Sequence, residues 1–329
     1  MRKLLSALAV FLLSFPATAQ LSVVDQAGRE VAIPGLVERV VSLYGVATLH
    51  LYALDAQDKL VLGTYVGMKP GSPSWDALRE IDPSLGDRFM PREPSLEEVL
   101  AARPDLVVGS AHKDRQAAEA LGRFGVPVVL LSAEDVAGMK EATVLLGKVL
   151  GAAERAAALT AYLDSRLHLI AAALAAEDQP APRTLFVGTA PLRVASGDMY
   201  QSEMIALAGG ASVTEELSGH WQDVNIEQVL LWDPDVVFIA PYGGVRPADL
   251  TSDPVWQGVT AVSSGRVFKL PRVFSPWDVP TPESALGMMW MAKRLHPQLP
   301  LDVVGEAQAF YYQFYGFRVP EGLLAEIAG

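Results

Sequence analysis

Any chemistry in this 329-residue chain must come from scattered side chains. Five histidines, His50, His112, His168, His220 and His296, are spread along it. No cysteine occurs, which excludes disulfides, thiolate metal centres and cysteine nucleophiles. His50 and His168 fall in helix-like segments, so the spacing does not support a three-histidine site for bare zinc or manganese. The patterns HExxH, GxSxG and GxxxxGK(S/T) do not occur, and the one Gly-Lys pair, Gly147-Lys148, is followed by Val149. No carboxylate pair is marked by spacing as a hydrolase dyad. What remains suits holding a ligand rather than transforming one. Tyr44, Tyr65, His112 and Tyr242 each follow a short apolar run that reads as a strand, and open α/β sheets gather ligands at those strand ends. Imidazole and phenolate both ligate iron, so His112 or Tyr242 could reach a chelated or haem iron.

The elements that must position these residues are announced by a unit written twice. SLEEVLAARPDLVVGS (95–110) returns as NIEQVLLWDPDVVFIA (225–240). Ser95 with Glu98 predicts a capping box, and Asn225 with Gln228 takes the same roles. Pro104 or Pro234 ends a short helix, lacking the N–H that would continue it and disfavouring helix in the residue before. LVVGS and VVFIA then read as strands buried on both faces. Helix, Pro-Asp turn and buried strand make half of an α/β layer, so two copies predict two Rossmann-like α/β lobes. Further strands are expected at 39–45, 59–65, 126–132, 183–189 and 265–271. His112 and Tyr242 occupy equivalent places in the two copies, and either face one another across a cleft or start a surface helix and fill a lobe rim. Between the lobes, 138–176 is rich in Ala and Leu without proline, and reads as a rigid helical connector that Gly147 and Gly151 divide. The expected organisation is an N-terminal lobe over 20–137, a connector over 138–177 and a C-terminal lobe over 178–329.

Residues 1–19 read as a secretory signal peptide: Arg2 and Lys3, an apolar run from Leu4 to Phe15, Pro16, then a small-x-small site ending at Ala19. The run is short for a membrane span, which needs about 20 residues. Cleavage after Ala19 and a periplasmic location are expected, without membrane insertion. The whole chain carries 26 Lys and Arg against 38 Asp and Glu, a formal charge of −12; without Arg2 and Lys3 it is 24 against 38, or −14. Such a surface repels phosphate backbones, so nucleic acid is not an expected partner.

Five segments in order carry a family resemblance: VVSLYGVATLHLYALDA (40–56), SLEEVLAARPDLVVGS (95–110), VASGDMYQSEMIALAGG (194–210), HWQDVNIEQVLLWDPDVVF (220–238) and SSGRVFKLP (263–271). The chain resembles the substrate-binding proteins of ABC importers for iron-siderophores, haem and cobalamin. That resemblance implies a monomer that holds a metal chelate between two lobes, a ferric siderophore first and haem or a corrinoid next. It also implies delivery to a permease dimer with a cytoplasmic ATPase, with no catalytic residue, resident metal or cofactor. A glutamate on each lobe docks on permease basic residues in that family, and the matching positions are Glu97 and Glu227. A tryptophan at the place of Trp221 contacts ligand in the cobalamin-binding relatives; His220 beside it departs from that pattern and could add a polar or metal contact. The alternative for Trp221 is a lobe-core indole.

The loop RVFSPWDVPTPE (272–283) carries Arg272, Phe274 and Trp277, a set suited to an aromatic rim for a large ligand. Arg272, Arg193 or Arg246 could pair with ligand carboxylates, or each could be a solvated charge. Trp75 either leans into the cleft or packs beneath it. Met288, Met289, Trp290 and Met291, at helical spacing, read as core rather than ligands. The aromatic segment 306–317 is expected to pack on the second lobe. Rival readings are a periplasmic sensor, which Glu97 and Glu227 separate only weakly from a transport protein, and a secreted enzyme, for which no catalytic motif is found.

Overall fold

The structure is a computed structural model that describes residues 21–33, 35–176 and 180–329. The expected signal peptide lies outside them, as do Glu177 at the connector's end and Asp178 at the start of the second lobe. A hairpin of β1 (Leu21–Val24) and β2 (Glu30–Ile33) comes first. The first sheet contains β3 (Val40–Ser42), β4 (Leu60–Thr64), β5 (Phe89–Met90), β6 (Leu106–Ser110) and β7 (Val128–Leu131). Its order is β5-β4-β3-β6-β7, all parallel. Strand order therefore reverses beside β3, the point at which open α/β sheets form ligand crevices.

The second sheet contains β8 (Arg183–Val187), β9 (Arg193–Val194), β10 (Ala211–Ser212), β11 (Gln222–Asp223), β12 (Val236–Ile239) and β13 (Val267–Lys269). Its path is β11-β9-β8-β12-β13, with β10 beside β8. β8, β10, β12 and β13 are parallel; β9 and β11 run antiparallel to their neighbours. Every residue of β6, β7 and β12 is buried, as their unbroken apolar runs require when helices cover both faces. The larger strands stand where their apolar runs place them. The β1–β2 hairpin and the two-residue strands carry no such run.

The repeated unit folds alike in both lobes, with one difference. Ser95 Oγ accepts from Glu98 N at 3.2 Å, and Ser95 N donates to Glu98 Oε2 at 2.7 Å, a full capping box. In the second copy Asn225 Oδ1 accepts from Gln228 N at 2.8 Å, without the reciprocal bond. The expected box at Gln228 is therefore only half made. The chain turns before each proline through a left-handed residue, Arg103 (φ 46°) and Asp233 (φ 39°). The aspartate after each proline then ties its strand to the neighbour: Asp105 Oδ2 accepts from Arg39 N at 2.9 Å, and Asp235 Oδ2 from Arg183 N at 2.8 Å. The Pro-Asp turn is a register lock used twice.

The connector forms two helices, Val136–Leu150 and Ala153–Ala175, with a left-handed Gly151 between them. Gly147 does not break the helix as expected. A Cβ there would lie 2.4 Å from Ala156 Cβ, so this glycine lets the two helices touch. The first connector helix packs on the Gly45–Ala53 helix, and the second on the Ser284–Leu295 and Tyr200–Leu207 helices. The Val303–Tyr315 helix lies against Ser284–Leu295, but also against Gly45–Ala53 of the first lobe. Its Glu306 accepts from Tyr162 Oη and Arg166 Nε, both at 2.8 Å. One apolar cluster runs from Val23 to Ile327 through both lobes and the connector. Met288, Met289, Trp290 and Met291 belong to it, as their helical spacing predicts.

Candidate ligand-binding site

Tyr44 follows β3 at the reversal of strand order and is the N-cap of the Gly45–Ala53 helix. Across from it, Met199 is the N-cap of the Tyr200–Leu207 helix. Tyr44, Met199, Tyr200 and Gln201 line one cavity of about 340 Å³ with Glu134, Asp198 and His220. Neither N-cap side chain bonds its helix. The first turn of Gly45–Ala53 holds no acidic residue, and the acid in the other first turn, Glu203, is engaged by Val136 N at 2.8 Å. Two helix N-termini thus approach one cavity without side-chain caps, which favours an anion, while the Glu134 and Asp198 carboxylates on the same lining oppose one. Burial, with Glu134 and Asp114 nearby, raises the Tyr44 phenol so that it stays protonated as a donor.

His112 is exposed at the rim beside this cavity, its Nε2 3.1 Å from Ser132 Oγ and 3.4 Å from Glu134 Oε1. It does not face Tyr242. Tyr242 instead lies beside Asp278 and packs against Gly67, lining a second cavity of about 580 Å³ with Arg272. The two positions are equivalent in the repeat, but His112 pairs with Ser132 and Glu134 while Tyr242 lines the second cavity. Tyr65 also turns from the cleft: its ring packs on Phe89 at 5.3 Å, and its hydroxyl lies 3.0 Å from Tyr52 Oη. Trp75 packs beneath, edge-on to Phe89 at 5.0 Å. Trp221 is half-buried, 6.3 Å from Phe186 between ring centroids and pressed against Gly188, while His220 beside it lines the cavity.

The rim expected at 272–283 is core instead. Trp277 is 0% exposed, and its Nε1 donates to Tyr311 Oη at 2.9 Å, the partner a buried indole needs. Phe274 is buried with it, T-shaped against Tyr311. Arg193 and Arg246 are surface charges paired with Asp223 and Asp249. Arg272 is half-buried and crosses to the first lobe, donating to the carbonyls of Val66 and Gly67; burial lowers its pKa to about 10.

Glu134, Asp198 and Gln201, which the sequence did not single out, line the cavity, and Asp278 lies behind Gln201. Gln201 is buried and donates from Nε2 to the Asp278 backbone oxygen at 3.0 Å. Asp278 is fully buried, and burial pushes its carboxyl up to about 7. A lone Gln or Asp in a polar stretch carries no local signal of burial, so neither was legible. Glu97 and Glu227 both stand exposed in the first turns of the Leu96–Ala101 and Ile226–Trp232 helices.

Residues 40–273 match the sequence pattern of a family described as "Periplasmic binding protein". The chain belongs to that family. It is 26% identical to the "Molybdate-binding protein MolA" of Haemophilus influenzae, over 96% of each chain. The molybdate-bound structure of MolA aligns with a TM-score of 0.79 at 22% identity, covering 91% of this chain and 99% of that one. A "Vitamin B12-binding protein" of Vibrio vulnificus is 25% identical over 63% of this chain and 72% of its own length. A periplasmic solute-binding protein structure from Veillonella parvula aligns with a TM-score of 0.80 at 25% identity, over 94% and 97% of the two chains. Among the described residues no helix is long and apolar enough to cross a membrane.

Proposed function

We propose that this chain is the periplasmic solute-capturing component of an ABC importer, and that its ligand is a small oxyanion of the molybdate class. The carrying observation is the cavity of about 340 Å³ between the two uncapped helix N-termini at Tyr44 and Met199. Ligand pockets span about 300–1,000 Å³, so this one lies at the small end. A cavity of this size suits a tetrahedral oxyanion better than the larger porphyrin or corrinoid. The full-length similarity to a molybdate-binding protein supports the same choice. This reading is preferred to the ferric siderophore that the family resemblance put first.

Capture then takes three steps. The anion enters between the lobes, exchanges water for main-chain N–H groups and the Tyr44 hydroxyl, and is enclosed as the lobes seat against one another. The loaded protein presents Glu97 and Glu227 to a two-fold permease, one carboxylate to each subunit. A metal chelate is the second reading, favoured by Tyr44, Glu134 and His220 on the same lining, all of them residue types that ligate metals.

Tyr44→Ala and Gln201→Ala each remove part of the wall and are expected to lower molybdate retention in equilibrium dialysis about tenfold, the equivalent of one good hydrogen bond. Tyr65→Phe, away from the cavity, is expected to leave retention unchanged. Parent-like retention in both wall variants would move the ligand elsewhere.

A further inference from the structure

The lobes also meet at a polar contact that lines the 580 Å³ cavity. Arg272, just beyond β13, donates from Nη1 to Gly67 O at 3.0 Å and from Nη2 to Val66 O at 2.7 Å. Gly67 is left-handed (φ +56°), and a Cβ there would lie 2.4 Å from Tyr242 Cβ, so the first-lobe backbone rests directly on Tyr242. Tyr242 lies beside Asp278, whose backbone oxygen holds Gln201 at the ligand cavity. On the other side, Gly67, Tyr242 and Arg272 line the 580 Å³ cavity. A continuous chain of contacts therefore runs from the interlobe junction to the ligand wall.

We propose that Arg272, Gly67 and Tyr242 form a latch that holds the lobes together in the ligand-free protein, and that its release sets the rate at which ligand enters and leaves. The bonding of Arg272 suits a latch better than a permanent strut. Its guanidinium gives up water for two neutral carbonyls, and no carboxylate forms an ion pair with it among the described residues. Its Nε is buried without a partner. Desolvation of that charge offsets much of what the two bonds contribute, so closed and open arrangements lie near in free energy. A strut would use a carboxylate, yet the nearby Asp278 and Glu283 are both held toward their neutral forms by burial. Gly67 lets the backbone approach closely enough for both bonds to form at once.

The latch acts on the cleft of the proposed function but does not depend on which ligand fills it. Amide hydrogen exchange of the mature chain without ligand therefore tests it separately. In Arg272→Ala and Gly67→Ala, peptides covering 65–74 and 241–247 are expected to exchange about tenfold faster, a change of ~1.4 kcal/mol, with β6 and β12 as protected as in the parent. Arg272→Lys keeps the charge but not the forked donor, and is expected to fall between. Should Arg272→Ala also loosen β6 and β12, the other two variants decide. Parent-like exchange at 65–74 and 241–247 in Gly67→Ala and Arg272→Lys would overturn the latch.

Discussion

Cells carrying Glu97→Lys and Glu227→Lys together are expected to lose ligand uptake, while the purified double variant keeps the parent's affinity. The two carboxylates occupy matching places in the repeat, exposed in the first turns of their helices. The fold does not use them. In the first copy Glu98 both completes the capping box and pairs with Arg92 at 2.7 Å, and in the second Asn225 supplies the cap. Neither Glu97 nor Glu227 has a hydrogen bond or ion pair among the described residues. The helix dipole alone accounts for about 0.3–1 kcal/mol at each, so the double reversal leaves the chain folded. Against a basic permease surface the same reversal replaces attraction with like-charge repulsion, which costs several kcal/mol. Uptake in a strain lacking the native gene, alongside dialysis of the purified variant, checks both halves. Unchanged uptake would remove the docking role, and a parallel loss of affinity would make it a folding defect.

The second large effect is on stability against pH. Burial pushes both Asp278 and Glu283 up to about 7, from ordinary values of 3.8 and 4.5. In the unfolded chain these carboxyls lose their protons near pH 4, while in the folded protein they keep them to about pH 7. Between those limits the folded state binds more protons, so stability falls as pH rises and is level above pH 7. A tenfold difference in proton affinity between the two states corresponds to about 1.4 kcal/mol, which makes the loss a few kcal/mol per group. Asp278→Asn keeps the backbone acceptor of Gln201 and a side-chain oxygen of the same shape without the ionisation. Urea unfolding should show this variant equal to the parent near pH 4 and more stable by ~2–4 kcal/mol at pH 8. A difference that does not vary with pH would contradict the assignment.

The parts of this fold that could be read from sequence are those decided locally. Ser95 and Asn225 cap, Pro104 and Pro234 stop, and the apolar runs after them are buried strands because each signal lies within a few residues of its effect. Tyr44 was legible as a residue just past a strand for the same reason, although the reversal of sheet order beside it is visible only in the fold. Trp277 was not. Its aromatic, proline-rich loop looks alike as rim or core, and Tyr311, 34 residues later in the chain, decides the matter by accepting the indole N–H. His112 and Tyr242 show the limit of symmetry: equivalent within their lobes, they are separated by the way the lobes meet. Gln201, Glu134 and Asp278 gave no signal because a polar residue's burial depends on distant packing. On the ligand, sequence and fold point differently. Strand-end tyrosines and a histidine suggest metal ligation, whereas the uncapped helix ends that favour an anion are visible only in the fold.

Calorimetric titration of the mature chain with molybdate, then with a ferric hydroxamate, haemin and cobalamin, tests the central claim most directly. One molybdate per chain is predicted, with none of the three chelates binding in its place. One ferric hydroxamate, haemin or cobalamin per chain, with no heat from molybdate, would contradict it.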